Sequence, residues 1–328
     1  MGRKLALALV AATLIWSEAA SAVEMVVTTE VPVDHWKSKY VEQFADAVTK
    51  KTGGAVKVKF FPAGQLYTDR DALAALGTGA VHMVWPVIVH LDSLDPRTGL
   101  VTLPFTLTDE MMLNPAFARE FNQFLSSIVE KRKVRVLAML RAADGIIVFK
   151  DRQVRKLEDV KGAKVRVTGG KVMLDVMRVL GMNAMSLPAS EMTTALTQGA
   201  IDGMLTSPAG WRTIIGDVAK QGIYIPGLVI GTYAVVVDAT WLEALPAAQN
   251  KAVVEAIEEI AKKQWKEGMA EDLAEVKRMV DKGAVFWTAP PAEVRRWKAT
   301  VQPPLKAFAD KYPDTMNGFN AIVKKYEK

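Results

Sequence analysis

The sequence predicts an α/β fold in two lobes. Strands and amphipathic helices alternate through the first and middle parts of the chain, the grammar of a mostly parallel sheet. One helix-to-strand junction occurs twice: Ala75–Met83 reads ALGTGAVHM and Ala195–Met204 reads ALTQGAIDGM. A helical pattern from Pro246 to Lys282 would reach roughly 50 Å at 1.5 Å per residue, longer than one lobe.

In order, Val23–Thr29 is apolar enough for a first buried strand. Trp36, Tyr40, Phe44 and Val48 recur at helical spacing over Trp36–Thr52, and Gly53-Gly54 ends that helix. Val56–Phe61 is a strand, Gln65–Leu76 a helix stopped near Gly77, and Val81–Trp85 a strand. Lys131-Arg132-Lys133 closes a helix before the strand Val134–Leu140. Gly145–Lys150 and Ala163–Thr168 are strands, Lys171–Leu180 and Glu191–Gln198 helices, and Ile201–Leu205 a strand. Within Pro246–Lys282, Val253, Ile257, Ile260, Gln264 with its neighbour Trp265, Met269, Leu273, Val276 and Val280 recur at three- or four-residue steps. Gly268 is a place for this helix to bend or to break in two.

Residues 1–22 read as a secretory signal peptide: Arg3 and Lys4, an apolar run Leu5–Trp16, and the small-residue site Ala20-Ser21-Ala22. That run is too short to span a bilayer, which needs about 20 residues. The chain has no cysteine, which excludes disulfides, a thiol nucleophile and thiolate metal sites. Only His35, His82 and His90 are present, and no HExxH, GxSxG or P-loop pattern occurs. The net charge of +6 is scattered, with no basic face interleaved with aromatics, so no nucleic-acid partner is expected. Neither a metal nor a cofactor is expected. A secreted enzyme would have to use Glu30 with Asp69, the only candidate acid–base pair, so no catalytic residues are assigned.

Arg166 lies in KVRV between Val165 and Val167. An arginine at the end of such a strand points into the crevice where α/β proteins bind ligands. It can grip a carboxylate through two parallel hydrogen bonds.

Taken together and in this order, FPAGQLYTDRDAL, Arg166 in KVRV, PASEMTTALTQGAIDG and the long late helix resemble a known family. This is the solute-binding subunit of tripartite ATP-independent periplasmic transporters, the dicarboxylate-binding-protein-like family. The resemblance covers nearly the whole chain after residue 22. It implies a two-lobed periplasmic solute-binding fold with a long helix spanning both lobes. The first lobe would hold 23–143 plus 232–271, and the second 144–231 plus 272–328. It also implies capture of a small organic acid by lobe closure, and delivery to a membrane permease from the periplasm.

Carried over by position, Arg166 matches the arginine that grips the ligand carboxylate. Glu30 and Asp69 fall at first-lobe contacts, Trp85 at an often aromatic position, and Thr206 where asparagine is common. Trp211 would close a wall, and Tyr233 would line the cleft near the return crossing. The chain departs from the family pattern at three places. Ile146 stands where many members carry a second arginine, Val87 at a polar position, and Ala189 at a pocket phenylalanine. These departures point to a monocarboxylate with an apolar or aromatic body. A dicarboxylate or sugar acid would need a second cation, for which Arg152 is the candidate.

Overall fold

The computed structural model describes residues 22–327. Apart from Ala22, the expected signal peptide lies outside the described residues. In chain order the first elements are β1 (Val23–Thr28), α1 (Trp36–Lys51), β2 (Val56–Phe61), α2 (Asp69–Ala75) and β3 (Met83–Val84). Then come α3 (Asp109–Leu113), α4 (Pro115–Val129), β4 (Val134–Asp144) and β5 (Ile146–Phe149). Next are β6 (Lys164–Val167), α5 (Lys171–Val179), β7 (Asn183–Ser186), α6 (Met192–Thr197), β8 (Gly203–Thr206) and the single turn α7 (Pro208–Gly210). The chain continues through β9 (Gln221–Tyr224), β10 (Ile230–Asp238), α8 (Ala239–Ala244), α9 (Ala247–Asp281) and β11 (Val285–Thr288). It ends with α10 (Pro291–Thr300), α11 (Gln302–Lys311) and α12 (Pro313–Tyr326).

Two sheets form, ordered β2-β1-β3-β10-β4 and β11-β9-β5-β8-β6-β7. Without the edge strand β11 they share one topology, β1, β2 and β3 corresponding to β6, β7 and β8. The repeated junction seen in the sequence is the α2–β3 connection in one lobe and α6–β8 in the other. Gly77 (φ 84°) and Gly199 (φ 74°) occupy the left-handed conformation just past each helix, which an L side chain resists.

The sheets are less uniformly parallel than the pattern of elements predicts. β10 runs antiparallel to both β3 and β4, and β5 antiparallel to both β8 and β9. The reason is connectivity. β4 passes straight into β5 with only Gly145 between them, and β9 returns to β10 after a short turn. Each sheet therefore accepts one strand that arrives from the other lobe with no helical crossover to restore its direction.

The long helix is continuous from Ala247 to Asp281, so the alternative of two helices broken at Gly268 does not hold. Gly268 serves close packing instead of a bend. A Cβ there would sit 3.0 Å from Gln264 Nε2 and 3.3 Å from Arg141 Cδ. Beside it, Gln264 accepts from Arg141 N and donates to Arg141 O, both at 2.7 Å, and Trp265 Nε1 donates to Met139 O. These bonds fix α9 to the end of β4, where the chain crosses between lobes. No helix among the described residues is long and apolar enough to cross a membrane.

One apolar core under the first sheet gathers Met25, Phe44, Trp85, Val235 and Ile257. Another under the second gathers Ile146, Val148, Leu196, Met204 and Trp211. A larger cluster runs from Phe117 and Phe121 to Val165, Trp297 and Phe319. In it the carboxyl-terminal α12 packs on α4 of the first lobe, and α11 packs on α5 of the second.

Candidate functional site

Two buried arginines receive opposite treatment. Arg141, 1 % exposed, is ringed by carboxylates. Its Nε donates to Asp109 at 2.6 Å, its Nη2 to Asp144 at 2.9 Å, and its Nη1 to Asp272. Burial is the largest effect and raises the Asp272 carboxyl to about 7, although the adjacent Arg141 charge pulls it down. This charge is fully engaged at the crossing.

Arg166, 2 % exposed, forms no ion pair among the described residues. Its Nε donates to Leu187 O at 2.8 Å and its Nη1 to Leu205 O at 3.4 Å, while Nη2 has no partner. Burial pushes its pKa down to about 10, and the charge of Glu30 only partly offsets that. It remains a cation at neutral pH, clamped on its flanks by two carbonyls. Arg166 lines a cavity of about 120 Å³ between the lobes. A buried cation without a partner is costly, and a carboxylate entering this cavity would relieve that cost.

The cavity also takes in Glu30, His35, Asp69, Thr206, Thr232 and Tyr233, with an apolar remainder that includes Val87, Ala142, Met173 and Leu205. Thr232 Oγ1 is buried without a hydrogen-bond partner, a second group open to a ligand. Lys37 lies behind this wall, fully buried. Its Nζ donates to Trp85 O at 2.8 Å and stands 3.8 Å above the Tyr233 ring. Burial lowers it to about 8 and raises the Tyr233 hydroxyl. His35 accepts from Lys37 N through Nδ1 as the N-cap of α1, and burial holds it neutral at about 3.

Of the residues expected from the sequence, Arg166, Glu30, Asp69, Thr206 and Tyr233 meet at this cavity, and the two tryptophans do not reach it. Trp85 is fully buried and tilts against Phe44, because its strand turns that side chain into the first core. Trp211 is fully buried, stacks on Phe286 and donates through Nε1 to Ala219 O. It braces the second core, and its neighbour Gly210 lines the cavity in its place. Ile146 points into the second core, and Arg152 donates to Asp159 O and Lys161 O in a loop. Neither supplies a second anion grip.

Glu30 and Asp69 are engaged by backbone. Asp69 accepts from Glu30 N and from Val87 N, both at 3.0 Å. Glu30 Oε2 accepts from Asp69 N, and its Oε1 accepts from Ala189 N in the second lobe at 3.0 Å. A free acid–base pair of the kind an enzyme would need is not formed by them. His90 brings a nitrogen to within 4.8 Å of both carboxylates.

His35, Lys37 and Thr232 were invisible as site residues in the sequence. Lys37 reads there as one more lysine on an amphipathic helix, and only the tertiary fold buries it. A larger hollow, about 600 Å³, opens between α4 and α9 over β4. Its rim arginines are already paired, Arg119 with Glu258 and Arg135 with Glu243. The cleft with the free guanidinium is therefore the stronger candidate despite its smaller volume.

The profile of the family described as DctP, bacterial extracellular solute-binding protein, family 7, matches residues 27–311. The C4-dicarboxylate-binding periplasmic protein DctP of Rhodobacter capsulatus is 28 % identical over 279 residues, 83 % of this chain and 82 % of that protein. Among solved structures, the sugar acid binding protein DctPAm of Advenella mimigardefordensis, in complex with galactonate, superposes with a TM-score of 0.86 at 21 % identity. That match covers 93 % of this chain and 99 % of the other. DctP7 of Bordetella pertussis, an extracytoplasmic solute receptor binding pyroglutamic acid, gives 0.82 at 20 % identity over 91 % and 100 % of the two chains.

Proposed function

The chain belongs to family 7 of the bacterial extracellular solute-binding proteins, the solute-binding proteins of tripartite ATP-independent periplasmic transporters, and we propose that it captures a small monocarboxylate by lobe closure. Members of this family bind organic acids and are not enzymes. In this reading the protein works in the periplasm and hands its acid to the membrane permease. Closure turns on the crossings near 143–144 and 231–232 and on α9 near 271.

The observation that carries the proposal is the unpartnered Nη2 of Arg166 at the end of a buried guanidinium. Held by carbonyls on Nε and Nη1, the side chain can still offer Nη2 and the second hydrogen of Nη1 to one carboxylate. Thr232 and Tyr233 would meet the ligand from the first lobe, and Thr206 from the second. The small cavity supports a compact body. An apolar cavity of roughly 150 Å³ holds a benzene ring, so about 120 Å³ suits an acid of few carbons.

A second reading keeps the fold and takes a dicarboxylate or sugar acid. It is favoured by what the relatives from Rhodobacter capsulatus and Advenella mimigardefordensis bind. Among the described residues, the cavity lining holds no lysine or arginine besides Arg166 to serve as its second cation.

Thermal-shift measurements across short aliphatic acids, L-pyroglutamate, C4-dicarboxylates and hexuronates separate the two. Binding raises stability by RT ln(1 + [L]/Kd). The proposal expects shifts from compact monocarboxylates. Shifts confined to dicarboxylates and hexuronates, or from no acid at all, would overturn it.

A further inference from the structure

Resting on the reading of the cleft as an acid site, we infer that Glu30 is a positioning residue that clasps the second lobe and so sets Arg166. Glu30 follows β1 in the first lobe, yet its Oε1 accepts from Ala189 N at 3.0 Å and, more weakly, from Ser190 N at 3.5 Å. Both donors belong to the 187–190 turn of the second lobe. The carbonyl of Leu187, at the start of that turn, accepts from Arg166 Nε at 2.8 Å. One carboxylate of the first lobe therefore holds the short segment that orients the binding guanidinium.

The grip is itself braced. Glu30 Oε2 accepts from Asp69 N, and Asp69 returns the bond to Glu30 N while also accepting from Val87 N. The two first-lobe acids thus form a reciprocal pair fixed to their own backbone, with one oxygen of Glu30 directed across the cleft. A carboxylate accepting from backbone N–H makes a charge-assisted bond, stronger than a neutral one. Its donors lie on the opposite lobe, so the bond ties the two lobes across the cleft. Glu30 then acts on ligand capture through the Leu187 carbonyl that orients Arg166, without needing to touch the acid. The departure at Ala189 fits this role, since the clasp uses the backbone of that residue and not its side chain.

Amide hydrogen exchange tests the clasp directly, because it reads Ala189 N–H and Ser190 N–H one by one. It is measured on the full ligand-free chain for wild type, Glu30→Ala, Glu30→Gln and Arg166→Met. The clasp predicts protected Ala189 and Ser190 amides in wild type and roughly tenfold or faster exchange in Glu30→Ala. Glu30→Gln keeps an acceptor oxygen and should recover part of the protection. Amides of the β10 core at Val235 and Val236 should not change, and Arg166→Met should keep the clasp while losing acid binding. Unprotected amides in wild type, no acceleration in Glu30→Ala, or acceleration spread equally through the core would overturn the inference. Failure of every acid to bind wild type, with the clasp amides behaving as predicted, would overturn only the ligand reading.

Discussion

Replacing Arg166 with methionine separates the two roles the site gives this side chain. The guanidinium is buried with no ion pair among the described residues, and its depression to about 10 corresponds to about 3 kcal/mol against the charged form. Methionine removes that cost and fills similar space. It also strips Leu187 O and Leu205 O of their donor, at about 1–3 kcal/mol for each unsatisfied group. The terms oppose, so the melting temperature should move by only a few degrees, at about 2–4 °C per kcal/mol for a chain of this size class. Binding has no such compensation. Two charged hydrogen bonds of about 1.5–3 kcal/mol each vanish, so affinity should fall by roughly a hundredfold to ten-thousandfold. Isothermal titration calorimetry at pH 7 with the compact acids gives the affinity, and differential scanning calorimetry gives the stability. A folded variant that keeps its affinity within about tenfold would refute the assignment, because charged hydrogen bonds of this kind cannot be lost so cheaply.

Other outcomes follow from the same geometry. Thr232→Val removes a hydroxyl that has no partner in the ligand-free protein, so stability should hold or rise slightly while acid affinity falls; paired calorimetry of both quantities checks it. His35 stays neutral in the fold, its pKa lowered to about 3, whereas the unfolded chain takes up a proton below about 6.5. The stability it contributes is therefore present above about 6.5 and is lost as pH falls from there towards 3, by up to about 1.4 kcal/mol per pH unit. His35→Asn keeps an N-cap acceptor and cannot titrate, so urea melts between pH 6.5 and 4 should show a shallower slope than wild type. Gly203→Ala should be strongly destabilising, by about 1–3 kcal/mol or more, because the new Cβ would lie 2.4 Å from the Phe149 ring and 2.5 Å from Val148 O. A thermal melt of that variant matching wild type would contradict the packing of β8 on β5.

Periodicity was enough to find the framework, and the reasons are local. Trp36, Tyr40, Phe44 and Val48 face one core from one helix, and Gly77 and Gly199 mark equivalent helix ends, so pattern and punctuation agree there. The reversed strands β5 and β10 were out of reach because strand direction depends on which sheet the chain enters next, and residue types carry no trace of that. Within the site, Arg166 stood out because a cation between two valines has few reasons to be buried. The tryptophans misled for the opposite reason: a large ring near a strand end fits a pocket wall and a core equally well, and here the cores took Trp85 and Trp211. Glu30 and Asp69 line the cleft. The backbone donors that engage them come from residues distant in sequence, so their bonding emerged only in three dimensions.

A crystal structure of the protein with the best compact monocarboxylate from the thermal-shift panel tests the central claim most directly. The account predicts closed lobes, with the carboxylate on Arg166 Nη1 and Nη2 at about 2.7–2.9 Å and Thr232 facing its other end. An acid bound elsewhere, such as the hollow between α4 and α9, or one whose carboxylate avoids Arg166, would contradict it.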